Sequence, residues 1–169
     1  MDQGLARGSI DTPIGRVVVV ASASGVRRIV LPGLDAPSGI TSIDVDQTHP
    51  VVAEACRQLQ EYFGGSRRTF DLPLEIDGTP FQLSAWRALA EVEFGARASY
   101  AEQASRIGRP RAVRAVGSAN RCNPVPIVLP CHRIVGADGS LTGYAGGIDM
   151  KKWLLDHESG SCAADQGRS

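Results

Sequence analysis

The chain of 169 residues contains four cysteines, Cys56, Cys122, Cys131 and Cys162, and no C-x-x-C pair among them. That leaves no closely spaced ligand set for structural zinc and no disulfide framework, a usage that suits a reducing compartment. No N-terminal segment joins a basic start to a long apolar run, and the apolar run Val17 to Ala23 is far too short to span a bilayer. A cytoplasmic protein without a membrane segment is therefore expected. Net charge is absent too, with 18 basic and 18 acidic side chains. Together with an ordinary apolar content, this excludes disordered, collagenous and fibrous classes. The length suffices for one domain or two small ones, with a core that needs no disulfide or metal.

The zero net charge hides a polarity. Residues 1–96 carry 8 basic and 12 acidic side chains, and residues 97–169 carry 10 and 6. Arg97, Arg106, Arg109, Arg111, Arg114, Arg121 and Arg133 have a single acid, Glu102, among them. Such a distribution fits a polyanion-binding surface, and it also fits an ordinary solvated basic face.

An α/β fold class is read from the order of patterns. Gly15 to Ala23 and Val26 to Leu31 are rich in Val and Ile and separated by Ser24-Gly25, which predicts an antiparallel hairpin. Residues 35–50 are polar and turn-rich and read as loop. Val51, Val52, Ala55, Leu59, Tyr62 and Phe63 recur at helical spacing and stop at Gly64-Gly65. A strand over Thr69 to Leu74 is expected to complete a small N-terminal α/β domain with an antiparallel sheet, residues 1–77.

Composition shifts at Asp77-Gly78-Thr79-Pro80, where a turn is followed by a capped helix start. A helix from Pro80 to about Glu91 would bury Phe81, Ala85, Trp86, Leu89 and Ala90. Ser99-Tyr100-Ala101-Glu102 has the form of a capping box. The helix it opens should end near Ile107. After Gly108-Arg109-Pro110 a second helix, Arg111 to Arg121, carries small residues at Ala112, Ala115 and Ala119. The pair reads as a helix-turn-helix in a mostly helical domain, residues 78–158, although helical hairpins are common and most bind nothing. Asn123-Pro124 ends the second helix, and residues 125–130 read as a short buried extended segment delivering Cys131. Residues 159–169 are polar and aperiodic and are expected to form a mobile tail.

Cys131 lies in Pro130-Cys131-His132-Arg133. A neighbouring imidazole and guanidinium can lower a thiol pKa from about 8.5 into the range of roughly 3.5 to 7.5 and make it a nucleophile. A buried inert cysteine is the other reading of the same tetrapeptide. The wider stretch R-A-V-G-x-A-x-x-x-N-P-x-P-I-x-x-P-C-H-R-I-V, Arg114 to Val135, resembles the O6-alkylguanine-DNA alkyltransferases. The likeness continues through Gly139, Gly143-Tyr144, Gly146-Gly147, Trp153-Leu154-Leu155 and Glu158. It reaches back through Ser99-Tyr100, Trp86 and Phe81-Gln82 to Gly78-Thr79. It is looser at the N-terminus, where it rests on Thr12-Pro13-Ile14-Gly15 and implies a ribonuclease H-like domain.

The resemblance implies direct-reversal repair. Cys131 would take the alkyl group irreversibly, once per molecule, from O6-alkylguanine in double-stranded DNA and, as a further substrate, from O4-methylthymine. Glu158 and His132 would relay the thiol proton through a water, and Asn123 would fix the turn before the acceptor. Tyr100 would donate to the leaving guanine ring. Pro126, Ile134, Tyr144, Ala145 and Gly146 would surround the flipped base. Arg114 would enter the base stack from a recognition helix in the minor groove, with Ser99, Ala112, Ala115, Gly117 and Arg121 also against DNA. A monomer acting without cofactor or metal is implied, and cooperativity along DNA is left open. The bulk of an alkyl group on Cys131 should leave a less stable product. Cys122 departs from the family pattern, where a small or polar residue is usual. Two rivals fit less well. A non-transferring damage sensor would lack Cys131, and a cysteine hydrolase would need a facing base, for which only His49 and His157 remain.

Overall fold

The computed structural model describes residues 4–166, with side chains described to residue 160, and divides into two compact units, residues 1–76 and 77–169. In the first unit, β1 (Ala6–Thr12), β2 (Gly15–Ala21) and β3 (Val26–Val30) form an antiparallel sheet in that order. The predicted hairpin is β2–β3, with a bulge between Val20 and Ala21. Strand β1 falls where the sequence shows no β-rich run. Its third residue is Gly8, where a Cβ would sit 2.4 Å from both Gln47 Oε1 and Val52 Cγ1, so the position needs a bare backbone. Local propensity is weak there, and pairing to β2 supplies what propensity does not.

Helix α1 (Pro50–Phe63) packs on this sheet through Val52, Ala55, Leu59, Tyr62 and Phe63. The His49 ring accepts from Val52 N at 3.5 Å at its start, and Gly65, with φ 86, turns the chain away at its end. The strand expected over Thr69 to Leu74 does not form. Gln58, buried on α1, takes its backbone groups instead: Asp71 N donates to Gln58 Oε1 at 2.9 Å and Gln58 Nε2 donates to Asp71 O at 3.0 Å. Only Leu74 makes an isolated bridge, to Val26.

In the second unit, Thr79 and Gln82 form a reciprocal capping box for α2 (Pro80–Leu89), and Ser99 and Glu102 form another for α3 (Tyr100–Arg106). Helix α4 (Val113–Arg121) begins two residues later than Arg111. The three helices pack on one another. Trp86 on α2 is buried, and its indole N–H donates to Ala119 O on α4 at 2.8 Å. Ala119 therefore belongs to the core and leaves Ala112 and Ala115 as the accessible small residues.

Gln103 and Asn120, both buried, lock α3 to α4 by exchanging two hydrogen bonds of 2.9 and 2.8 Å. A short parallel pair, β4 (Ala98–Ser99) with β5 (Ile134–Val135), ties the start of α3 to the residues just after Cys131. The last helix, α5, runs Ile148–Gln166, so residues 159–166 continue a helix where an irregular tail was expected. The side chain of Cys162 and residues 167–169 lie outside the described residues.

Candidate active site

Cys131 opens a single 3-10 turn, Cys131–Arg133, entered through a buried loop that Asn123 shapes. Asn123 Nδ2 donates to Leu129 O at 2.7 Å, and Val125 N donates to Asn123 Oδ1 at 3.0 Å, so one amide closes the loop from both sides. Residues 125–130 are buried apart from the half-buried Val128, and they are not extended. The chain doubles back at Ile127, whose φ of 75 is unusual for a β-branched residue, and Leu129 N donates to Val125 O at 3.0 Å. Strain of this kind costs about 1–3 kcal/mol and persists where surroundings over-determine it. Here the Asn123 bonds and the burial of Ile127 do so.

Helix α5 turns one face to this site. Lys151, Leu154, Leu155 and Glu158 are all buried at helical spacing, which sets an ammonium and a carboxylate two turns apart. Glu158 Oε2 lies 2.6 Å from His132 Nε2, and Arg133 donates to the same carboxylate through Nε at 2.7 Å and Nη2 at 3.2 Å. Arg133 Nη1 donates to Val92 O at 2.6 Å. Arg133 is thus a buried structural cation, contrary to its expected place on the basic face or beside the thiolate. Its charge is taken up by Glu158.

The charge state of the site follows. Burial raises the Glu158 pKa, but hydrogen bonds and charge from His132 and Arg133 outweigh it and bring the group down to about 2. Burial lowers the His132 pKa, so the imidazole is neutral at rest. A neutral ring facing a carboxylate carries its proton on Nε2, which leaves Nδ1 as the basic atom, and Nδ1 has no hydrogen-bond partner among the described residues.

Cys131 is also buried. Desolvation drives its pKa up to about 11, against smaller lowering by the Asn123 side chain and the Lys151 charge. The expected thiolate of depressed pKa is therefore not the resting state. At pH 7 such a thiol is ionised in roughly one molecule in ten thousand. A base must take the proton as the reaction occurs.

Lys151 is the site residue that the sequence reading missed. It is 1% exposed, donates from Nζ to Ile134 O and, at 2.9 Å, to Thr142 O, and lies 5.7 Å from the centre of the Tyr100 ring. Its signal was its place seven residues before Glu158, on the same helical face.

Beside these groups, a cleft of about 520 Å³ is lined by Tyr100, Val113, Arg114, Gly117, Ser118, Arg121, Thr142 and Gly143. It brings together four of the expected residues, Tyr100, Arg114, Gly117 and Arg121. Arg114 is exposed and makes no hydrogen bond or ion pair among the described residues. The Tyr100 hydroxyl donates to Thr142 O at 2.9 Å, so it must exchange partners to reach a ligand. Pro126, Ile134 and Tyr144 are buried, Gly146 is half-buried and Ala145 is exposed. Ser99, Ala112 and Ala115 do not line the cleft. Cys122, at the C-terminal cap of α4, is exposed.

A helix-turn-helix beside a buried thiol, with a His–Glu pair whose free nitrogen can accept a proton, fits the class of nucleic-acid-associated proteins with a nucleophilic cysteine. Residues 80–160 match the 6-O-methylguanine DNA methyltransferase DNA binding domain, and residues 5–76 match the ribonuclease-like domain of the same enzyme. The chain belongs to the 6-O-methylguanine DNA methyltransferase family. It is 43% identical over 153 residues to a methylated-DNA--protein-cysteine methyltransferase of Methanosarcina barkeri, covering 88% of this chain and 94% of the relative. The constitutive enzyme of that name from Bacillus subtilis is 43% identical over 152 residues, covering 88% and 92%. Among solved structures, Mycobacterium tuberculosis OGT in complex with DNA superimposes with a TM-score of 0.85 at 38% identity, covering 92% of this chain and 94% of that one.

Proposed function

We propose that this protein repairs alkylated DNA by transferring the alkyl group from O6-alkylguanine to Cys131, irreversibly and once per molecule. The observation that carries the reading is the buried Cys131 thiol beside the Glu158–His132 pair, whose Nδ1 has no hydrogen-bond partner among the described residues. A thiol of pKa about 11 is protected from casual alkylation, and a poised base releases it only at the moment of attack.

The sulfur–carbon bond forms as the bond from that carbon to guanine O6 breaks. The thiol proton passes to His132, whose positive charge Glu158 stabilises. The guanine leaves as an anion, assisted by a hydrogen bond from Tyr100, and finally recovers a proton. Lys151, the cation beside the sulfur, offsets its charge while it is a thiolate.

The names and the DNA complex of the relatives support DNA as the partner. The target atom is unreachable inside a duplex, so the nucleotide must flip, at a cost of a few kcal/mol. Arg114 on α4 fills the vacated stack and the accessible small residues Ala112, Ala115 and Gly117 allow minor-groove approach, with Ser99 and Arg121 toward the backbone. The protein acts as a monomer in the cytoplasm, and duplex affinity should fall steeply with salt. O4-methylthymine is a second substrate of the same chemistry.

The test is incubation with an oligonucleotide duplex labelled on the guanine O6-alkyl group, followed by mass mapping. Label on the peptide containing Cys131 is expected, and Cys131→Ser should abolish it while duplex affinity persists. Label retained by that variant overturns the assignment.

A further inference from the structure

Two buried side-chain atoms in this site lack a hydrogen-bond partner among the described residues, His132 Nδ1 and the Tyr144 hydroxyl. His132 is 0% exposed and Tyr144 9%. Buried polar groups are almost always paired, because leaving one unmade costs about 1–3 kcal/mol. An orphan beside an inert core would be a local defect. Two orphans beside one buried nucleophile suggest a shared partner.

The His132 ring is not free to turn away, and the backbone that carries Tyr144 is tied down. Glu158 fixes the His132 ring through Nε2 at 2.6 Å. Tyr144 O accepts from Gly147 N at 3.0 Å, and two residues earlier Thr142 O accepts from both Lys151 and Tyr100, at 2.9 Å each. The phenol is held protonated, its pKa raised well above the ordinary value first by burial and then by the charge that Cys131 and Glu158 carry when ionised. Those two groups are the chain neighbour and the hydrogen-bond partner of His132. The hydroxyl therefore belongs to the same charge cluster as the base.

We propose that Tyr144 is a positioning residue of the proton relay, its hydroxyl and His132 Nδ1 holding one water molecule between them. This deepens the alkyl-transfer reading and rests on it. The phenol donates to the water oxygen, and the water donates to Nδ1. The second lone pair of the water is left to accept the Cys131 thiol proton. On attack the water gives its own proton to Nδ1 and takes the one from sulfur, which leaves a thiolate, an imidazolium and an unchanged phenol. The Tyr144 ring packs the site while its hydroxyl orients the water, and only the second task needs the oxygen.

The experiment compares the intact wild-type protein with Tyr144→Phe, following alkylation of Cys131 by iodoacetamide from pH 6 to pH 11 by mass spectrometry. Of the titratable groups around the thiol, Lys151 on α5 acts on it directly, His132 and Arg133 on its own turn are paired to Glu158 on α5, and Tyr100 on α3 lies against Lys151; all are unchanged in the variant. At pH 7 the variant is expected to react roughly tenfold or more slowly, a share of the usual general-base contribution. The gap should close as the pH approaches 11, where the thiol ionises without a relay. Equal rates at pH 7, or a deficit that stays constant with pH, overturn the proposal, the second by marking a purely structural role.

Melting curves at each pH establish that both proteins are folded. A crystal structure of the unmodified wild-type protein is a second readout. One ordered water within hydrogen-bond distance of both atoms supports the proposal, and a site without it overturns the proposal even if Tyr144→Phe fails to fold. The underlying reading fails separately: if lesion-bearing duplex leaves no adduct on Cys131, alkyl transfer is wrong whatever the iodoacetamide rates.

Discussion

The two units of this protein bury different things. Among the described residues of the first, the buried set is apolar apart from Gln58, whose amide staples residue 71, and the charged groups Glu54, Arg57, Glu61 and Arg67 lie in a network on the surface of α1. The second unit buries Gln103, Asn120, His132, Arg133, Lys151 and Glu158. Desolvating charge is costly, and a buried ion pair is weak support for stability. The first unit is thus built as an apolar core, and the second holds a costly buried charge network that the proposed chemistry would use.

The sharpest way to break this contrast is Glu158→Gln. It leaves the Arg133 guanidinium buried without a counter-charge, and a loss of about 3–5 kcal/mol in unfolding free energy is expected, measured by denaturant titration. Leu59→Ala removes a fully buried side chain from the first unit and should cost about 2–5 kcal/mol, the same order but by cavity formation. Iodoacetamide trapping of Cys131 in the folded proteins separates the two. The rate near pH 7 should fall in Glu158→Gln and stay unchanged in Leu59→Ala.

Acid and alkali sharpen the comparison further. The Glu158 pKa is depressed from 4.5 to about 2 on folding, so its contribution, about 3 kcal/mol, is complete above pH 4.5 and is lost as pH falls toward 2. The lowered pKa of His132 acts in the same sense, beginning as pH drops through its ordinary 6.5. Cys131 runs the other way. Its pKa is raised from 9.0 to about 11, so about 3 kcal/mol present below pH 9 is lost as pH rises through 11. Melting temperature against pH should therefore show an alkaline limb that Cys131→Ala reduces. The smallest effect is expected from Glu54→Gln, which breaks exposed pairs on α1 and should leave the melting temperature unchanged at physiological salt.

Much of the second unit was legible because its signals are local. Thr79-Pro80 with Gln82, and Ser99 with Glu102, are capping boxes whose partners lie three residues apart, so sequence spacing and spatial contact coincide. The missed features all depend on distant partners. Strand β1 exists because β2 pairs with it, and residues 69–74 fail to form a strand because Gln58 intercepts Asp71. Arg133 looked like surface charge until Glu158, 25 residues away, accounted for it. Lys151 went unassigned, because nothing adjacent reveals that Ile134 and Thr142 turn their carbonyls to it.

The sequence by itself pointed to the family, to the capped starts of α2 and α3, to a change of unit near residue 77 and to Cys131 as the candidate nucleophile, since each rests on residue types at short or fixed spacing. The tertiary structure alone decided the state of the Cys131 thiol. An adjacent imidazole and guanidinium predicted a ready thiolate, yet burial and the diversion of both groups to Glu158 leave a thiol of pKa about 11 that waits for a base. Desolvation and charge pairing depend on what surrounds a group in three dimensions, and spacing along the chain does not report that.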